Sequence, residues 1–193
     1  SSAAANKIRI AASAAHAFSA EVWISPSTIN TDSDPQVIFS YGCHNTSSYP
    51  DCTGGIATTT DAGYVSNFFI SQHNADLVAG FRRSNNPGTS GAIFIDNELR
   101  LVGILQANQP THVVLTWNGS TSVKRLTGQR TNQGTQLSTS DTETGENISN
   151  WATYPVGVAD PDNRFYSNFL GHFNGKVYLA AVYDRALSNG SSG

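Results

Sequence analysis

The 193-residue chain has no methionine, only two cysteines and few charged residues, 13% of the total. Its formal net charge is −3, and no basic run is longer than Arg82-Arg83. Nucleic acid needs a dense basic face, so it is not an expected partner. The longest apolar run, Val177 to Tyr183, falls far short of the roughly 20 residues a membrane helix needs, so no membrane insertion is expected. The opening SSAAANKIRI lacks a basic n-region followed by an apolar h-region. It therefore does not read as a signal peptide and is compatible with a mature or excised end. Low charge with abundant Ser, Thr, Asn and Gly suits an extracellular protein, secreted or at a cell surface.

The scarcity of sulfur narrows the chemistry of the stretch YGCHNTSSYPDC, which carries both Cys43 and Cys52. A structural zinc site needs about four Cys or His ligands. Of His16, His44, His73, His112 and His172, only His44 is near the cysteines in sequence. A Cys43–Cys52 disulfide is the expected reading for an exported chain. Closing so short a loop is worth ~2–3 kcal/mol in the chain-entropy model.

What is present in abundance is a period of two. In AFSAEVWIS, Phe18, Ala20, Val22 and Ile24 face one way, and Ser19, Glu21, Trp23 and Ser25 the other. THVVLTW puts Val113, Leu115 and Trp117 on one face. HFNGKVYLAAVY sets Phe173, Gly175, Val177, Leu179, Ala181 and Tyr183 against Asn174, Lys176 and Tyr178. Shorter runs (KIRIA, QVIFSY, YVSNFFIS, DLVAGFR, AIFI, ELRLVGIL, SVKRL and YPVGV) read as further strands. PSTINTDSDP, SNNPGTSG and WNGST separate them as turns. No helical stripe longer than about two turns is evident. Residues 127–150 are the most polar stretch, read as a long surface connection or an edge hairpin. About eleven to thirteen short strands of this kind build an all-β antiparallel sandwich of two sheets.

Several phrases resemble one family. FSAEVWISPS is similar to the F-T-x-E-x-W-V-x-P strand of laminin-G-like domains, and QPTHVVLTWNGS to their W-x-H-V-A-x-T-x-D-G strand and turn. ISNWATYPVGVAD resembles a bacterial S-N-W-x-x-x-Y-x-L-x-L-G-N-E variant. GHFNGKVYLAAVYDRALS is similar to the closing F-x-G-x-I-x-x-V-x-I-Y-x-R-A-L-S. The matches run in order from residue 7 to 188. They imply one laminin-G-like domain over 1–193, a jelly roll of the concanavalin A-like superfamily that includes pentraxins. The family's usual first and last edge strands are missing from the match. Either the sequence is a piece of a longer chain, or the domain has lost, or borrows, an edge strand.

The resemblance also implies where ligands sit. Pentraxin-like members bind calcium with acidic residues from two loops on one face. VIFSYGCHNTSSYPDC stands at the first loop and VGVADPDN at the second. Asp51 thus matches loosely, and Asp160, Asp162 and Asn163 match better, as ligands of a cation that takes six to eight oxygens. The same Asp-Pro-Asp-Asn is equally a turn, and Asp32 and Asp34 carry the same ambiguity. Around these loops Tyr49, Trp151, Arg164 and Tyr166, with Tyr154, are candidate glycan contacts through ring stacking. Against that, Trp151 also suits a packing plug at the sandwich rim, and Arg164 a structural ion pair.

Catalysis is not expected. Glucanases of this superfamily resemble E-x-D-x-x-E on an inner strand. The closest string here, DTETGE with Asp141, Glu143 and Glu146, has nothing apolar between to anchor a buried strand. Glu21 has no second carboxylate two residues on, whereas a glycosidase needs a pair about 5 or 6.5–9.5 Å apart. Gln72 and His73 are adjacent, not in the Gln-x-His order of alginate lyases, and no G-x-S-x-G elbow occurs. The sequons at Asn45, Asn118, Asn147 and Asn189 matter only on a eukaryotic secretory path.

The expected function is a binding or adhesion module of a larger extracellular protein. Its ligand is a glycan or a peptide held by calcium-ordered rim loops. A structural assembly domain is the alternative, and a polysaccharide-degrading enzyme the third reading.

Overall fold

The structure is a computed structural model that describes residues 2–29, 31, 35–44, 64–81, 98–149, 151, 153, 156–159 and 171–188. Among the described residues one helix, α1 (Ser2–Ala15), precedes eleven strands. These are β1 (Ala17–Pro26), β2 (Gln36–His44), β3 (Tyr64–His73), β4 (Asp76–Phe81), β5 (Leu99–Leu101) and β6 (Thr111–Asn118). They continue as β7 (Val123–Arg130), β8 (Leu137–Thr142), β9 (Val156–Val158), β10 (Gly171–His172) and β11 (Gly175–Tyr183). One sheet runs β11-β1-β6-β7-β8. The other runs β10-β2-β3-β4-β5, with β9 also on β2. Among the described strands every pairing is antiparallel except the short β10–β2 contact. The protein is thus an all-β jelly-roll sandwich.

The core lies where alternation places it. Phe18, Ala20, Val22 and Ile24 of β1 are fully buried, as are Val113, Leu115 and Trp117 of β6. They meet Phe39, Tyr41, Phe68, Ile70, Leu77 and Ala79 of the facing sheet. Rings interlock between the layers: Phe18 stacks on Phe68 at 5.7 Å and meets Phe81 edge-on at 5.3 Å. Opposed rings at such spacings add to plain burial because ring edges and faces carry opposite partial charge.

Three local expectations change and one holds. KIRIA is not a strand but the middle of α1, where alanine, the strongest helix former, surrounds it. Ala5, Ile8 and Ala12 form the face packed on the core. Their small side chains leave no conspicuous hydrophobic stripe in sequence. The helix ends at His16 with a left-handed φ of 49°, a common way to close a helix. The ELRLVGIL run is a strand only over Leu99–Leu101, because Val102 is 72% exposed in a turn with Gly103 at φ +65°. The polar stretch 127–150 contains the tail of β7 and the edge strand β8, so the hairpin reading holds there. In β11 the strict alternation fails at a bulge. Trp23 pairs with Leu179 but Ile24 pairs with Val177, which leaves Tyr178 over. The extra residue reverses the faces beyond it. Val177, Ala180 and Val182 therefore pack on the core, while Leu179 and Tyr178 are exposed.

Candidate functional site

Strand β2 organises the predicted site residues. On its edge away from β3, β9 pairs in antiparallel register, Tyr41 with Val156 and Phe39 with Val158. The Ala159 N–H then donates to the Ile38 carbonyl at 2.7 Å. The chain returns to that same edge in β10, where Gly171 pairs with Gln36. Residues 160–170 therefore leave β2 at Ile38 and come back two positions away. Asp160, Asp162, Asn163, Arg164 and Tyr166 all belong to this one segment, closed at its base. Their own placement lies outside the described residues.

Tyr49, Asp51 and Cys52 fall in 45–63, also outside the described residues, as do Asp32, Asp34 and Tyr154. Cys43 is the last residue but one of β2; its side chain and Cys52 lie outside the described residues, and the expected Cys43–Cys52 bond with them. The exit points are defined, however. Segment 45–63 leaves β2 after His44 and re-enters opposite it at Tyr64. At roughly 3.3 Å per residue, Ile38 and His44 are about 20 Å apart along the strand. The two acidic segments thus start from opposite ends of β2.

Trp151 is not a surface contact. It is 3% exposed, and its ring meets Phe18 at 4.7 Å and Tyr41 at 6.0 Å. The plug reading is the one the geometry supports, because a ring buried among Phe18, Tyr41 and Phe68 has no face left for a sugar.

Two polar clusters escaped the sequence reading. One lies at the end of the second sheet where segment 160–170 is anchored. Gln36 pairs with Gln72, and the next residue, His73, stands opposite Asp76. Arg100 Nη1 donates to Asp76 Oδ2 at 3.2 Å, and its Nη2 lies 3.0 Å from His73 Nδ1. The Gly103 N–H fixes the other Asp76 oxygen at 2.8 Å. Two residues before Arg100, burial pushes the Glu98 carboxyl up to about 7 against the opposing pull of that arginine. The β4–β5 pairing brings Arg100 to Asp76, and nothing in the local sequence announces it.

The other cluster lies on the open face of the first sheet. Glu21 Oε1 is 2.7 Å from His112 Nε2, and Tyr183 donates its hydroxyl to Glu21 Oε2 at 2.6 Å. Trp23 stacks on His112 at 4.9 Å, and Arg185 lies 5.9 Å from the centre of the Tyr183 ring. The Tyr183 phenol is held above its ordinary range, first by the bond to Glu21 and then by burial and the Glu21 charge. Both Glu21 oxygens are occupied, so this group clamps β11, β1 and β6 together instead of presenting a free acid. These are the E, W, H and Y of the motif phrases quoted above, whose neighbourhood in space the alternation alone does not reveal.

The carboxyls of the DTETGE string do not face each other across a cleft. Glu143 and Asp141 both contact the Lys124 ammonium, at 2.6 and 3.4 Å, on the β7–β8 hairpin. Among the described residues no three His, Cys, Asp or Glu side chains gather in a way that could hold a metal.

No family model matches the chain, and no curated protein is similar to it in sequence. Solved structures share its fold. A CBM40 of the Ruminococcus gnavus IT-sialidase, bound to α2,3-sialyllactose, superposes with a TM-score of 0.59 at 14% identity. That match covers 90% of this chain and 78% of the other. The same CBM40 in a second structure gives 0.59 and 14%, covering 93% and 81%. A heptameric SAP-like pentraxin from Limulus polyphemus gives a TM-score of 0.48 at 16% identity, over 90% of this chain and 66% of that one.

Proposed function

We propose that this chain is a non-catalytic carbohydrate-binding module of an extracellular protein, and that segment 160–170 carries its glycan site. The observation behind this reading is the closure of that segment on β2. Ala159 and Gly171 are anchored beside Ile38 and Gln36, which gathers Asp160, Asp162, Asn163, Arg164 and Tyr166 into eleven residues. A short base lowers the entropy cost of ordering such a loop around a ligand. The segment offers what a sugar needs: a ring for stacking, a guanidinium and carboxylates for hydroxyls or a ligand carboxylate. Support from likeness is the shared fold of a CBM40 that binds α2,3-sialyllactose. The finer laminin-G-like membership rests on the motif phrases.

Calcium belongs to the same proposal. Asp160, Asp162 and Asn163 supply the hard oxygen donors the ion prefers, and its chemistry there is to order the loop. Asp51 fits less well, since its segment starts about 20 Å away along β2, close to the full reach of seven extended residues.

The test is glycan-array binding, with sialylated and neutral glycans, by the wild type and by Asp162→Ala and Arg164→Ala. Binding lost in the variants at unchanged melting temperature supports the site. A folded wild type that binds no glycan removes the reading in favour of an assembly domain. Saturating calcium, at a hundred times its dissociation constant, stabilises by ~2.7 kcal/mol. Unchanged melting with calcium or chelator removes the metal and leaves the glycan site standing.

A further inference from the structure

Lys124 is placed unlike any ordinary surface lysine. It lies in β7 between Trp117 of β6 and Asp141 of β8, directly opposite both in register. Its side chain is 4% exposed, and its ammonium sits 2.6 Å from Glu143 Oε1 and 3.4 Å from Asp141 Oδ2. The two carboxylates thus share one ammonium. Backbone bonds hold all three groups in place: the β7–β8 ladder sets Lys124 against Asp141, and the Glu143 N–H donates to the Ser122 carbonyl at 2.8 Å. A nucleophilic nitrogen, an acyl carbon and a proton carrier thus share one corner of the sheet. Their partner strand, β8, is the sheet's edge, with exposed or half-exposed side chains throughout. Little hydrophobic burial retains it.

We propose that the Lys124 amine condenses with the Asp141 carboxyl to form an intramolecular amide that joins β7 to β8, with Glu143 as the proton carrier. The Nζ–Cγ bond forms and one Cγ–O bond of Asp141 breaks. Lys124 enters as an ammonium and ends as an amide N–H, so two of its protons leave with the departing oxygen as water. Glu143 accepts a proton from the nitrogen as it attacks and delivers it to that oxygen. No oxidant, reductant or co-substrate is required. Holding both reactants on paired strands replaces a bimolecular encounter by one of high effective concentration, which drives the condensation in water. Asp141 is 60% exposed at its side chain, so the released water has an exit. The Thr142 N–H, chiefly, keeps Asp141 ionised. The nitrogen therefore attacks only once the first of its two departing protons has passed to that carboxylate, the second following by way of Glu143, and the bond forms as a slow maturation of the folded chain.

Intact-mass spectrometry of the full chain, reduced and denatured, tests this on fresh and aged samples. The wild type should weigh about 18 Da less than its sequence, one water lost. Peptide mapping should find Lys124 joined to Asp141. Lys124→Arg and Asp141→Ala should restore the full mass, and so should Glu143→Gln if Glu143 carries the proton. Wild type at its full sequence mass in both samples overturns the proposal, whether or not any variant folds. A cross-link from Lys124 to Glu143 instead, or a deficit that survives Glu143→Gln, overturns the assignment of roles.

Discussion

Tyr183, near the end of the last strand, donates its hydroxyl to Glu21 of the first strand at 2.6 Å, across 162 residues of sequence. The bond ties the edge strand β11 to β1, and the second Glu21 oxygen carries the tie on to His112 of β6. A hydrogen bond to a charged acceptor contributes about 1.5–3 kcal/mol. Tyr183→Phe should lower the unfolding free energy by about that much, discounted toward the lower figure because the pair is only partly buried. Urea titration checks it. An unchanged midpoint would show that water replaces the bond.

The same bond has an alkaline signature. Tyr183 keeps its proton longer when folded than when unfolded, so stability is fully present below pH 10, the ordinary value. As pH rises above that, the unfolded state loses the proton first and stability falls. Melting curves through this range should show a steeper loss for the wild type than for Tyr183→Phe.

Glu98 gives a separate pH window. Its carboxyl titrates at about 7 in the fold against 4.5 ordinarily. Between those values the folded chain binds the extra proton, so stability declines as pH rises through the window. Glu98→Gln should flatten this decline, matching the wild type at pH 4 and exceeding it at pH 8. Equal slopes in the two proteins would refute the burial of that carboxyl.

Trp151 predicts a clean separation of roles. Truncation to Ala removes a ring packed on Phe18, Tyr41 and Phe68 and should cost about 3–5 kcal/mol. Trp151→Phe should cost less and leave glycan affinity per folded molecule unchanged. Selective loss of affinity in a fully stable Trp151→Phe protein would return the residue to the binding surface.

Gly175 tests the junction of β10 and β11. A Cβ there would stand 2.6 Å from the Ser25 carbonyl oxygen and from the Phe173 ring. Gly175→Ala should therefore destabilise by about 1–3 kcal/mol, the range for overpacking. Gly134→Ala, with nothing within 4 Å of the new atom, should be silent in the same thermal melt.

The sequence carried the sandwich because its core strands alternate without interruption. Phe18 to Ile24 and Val113 to Trp117 face inward just where period two puts them. It misplaced Lys7 to Ala11 because two isoleucines two apart imitate a strand, while the alanines that make the helix give no contrast of polarity. It misassigned the faces of β11 because a bulge depends on how a strand meets its neighbour. Tyr178 as the extra residue is a property of the β1 pairing.

Of the candidate site, the residue types of 160–170 were legible as a polar, turn-prone segment. That the segment is closed at both ends on one edge of β2 was not, since β9 and β10 are only three and two residues long. The residues that meet across strands, Glu21 with His112 and Tyr183, or Lys124 with Asp141 and Glu143, stand in for no local pattern. Alternation along a strand determines which side chains face inward, and this the sequence holds by itself. Register between strands determines which polar groups come within hydrogen-bonding distance. It is decided only by the hydrogen-bond ladders and bulges of the folded sheets.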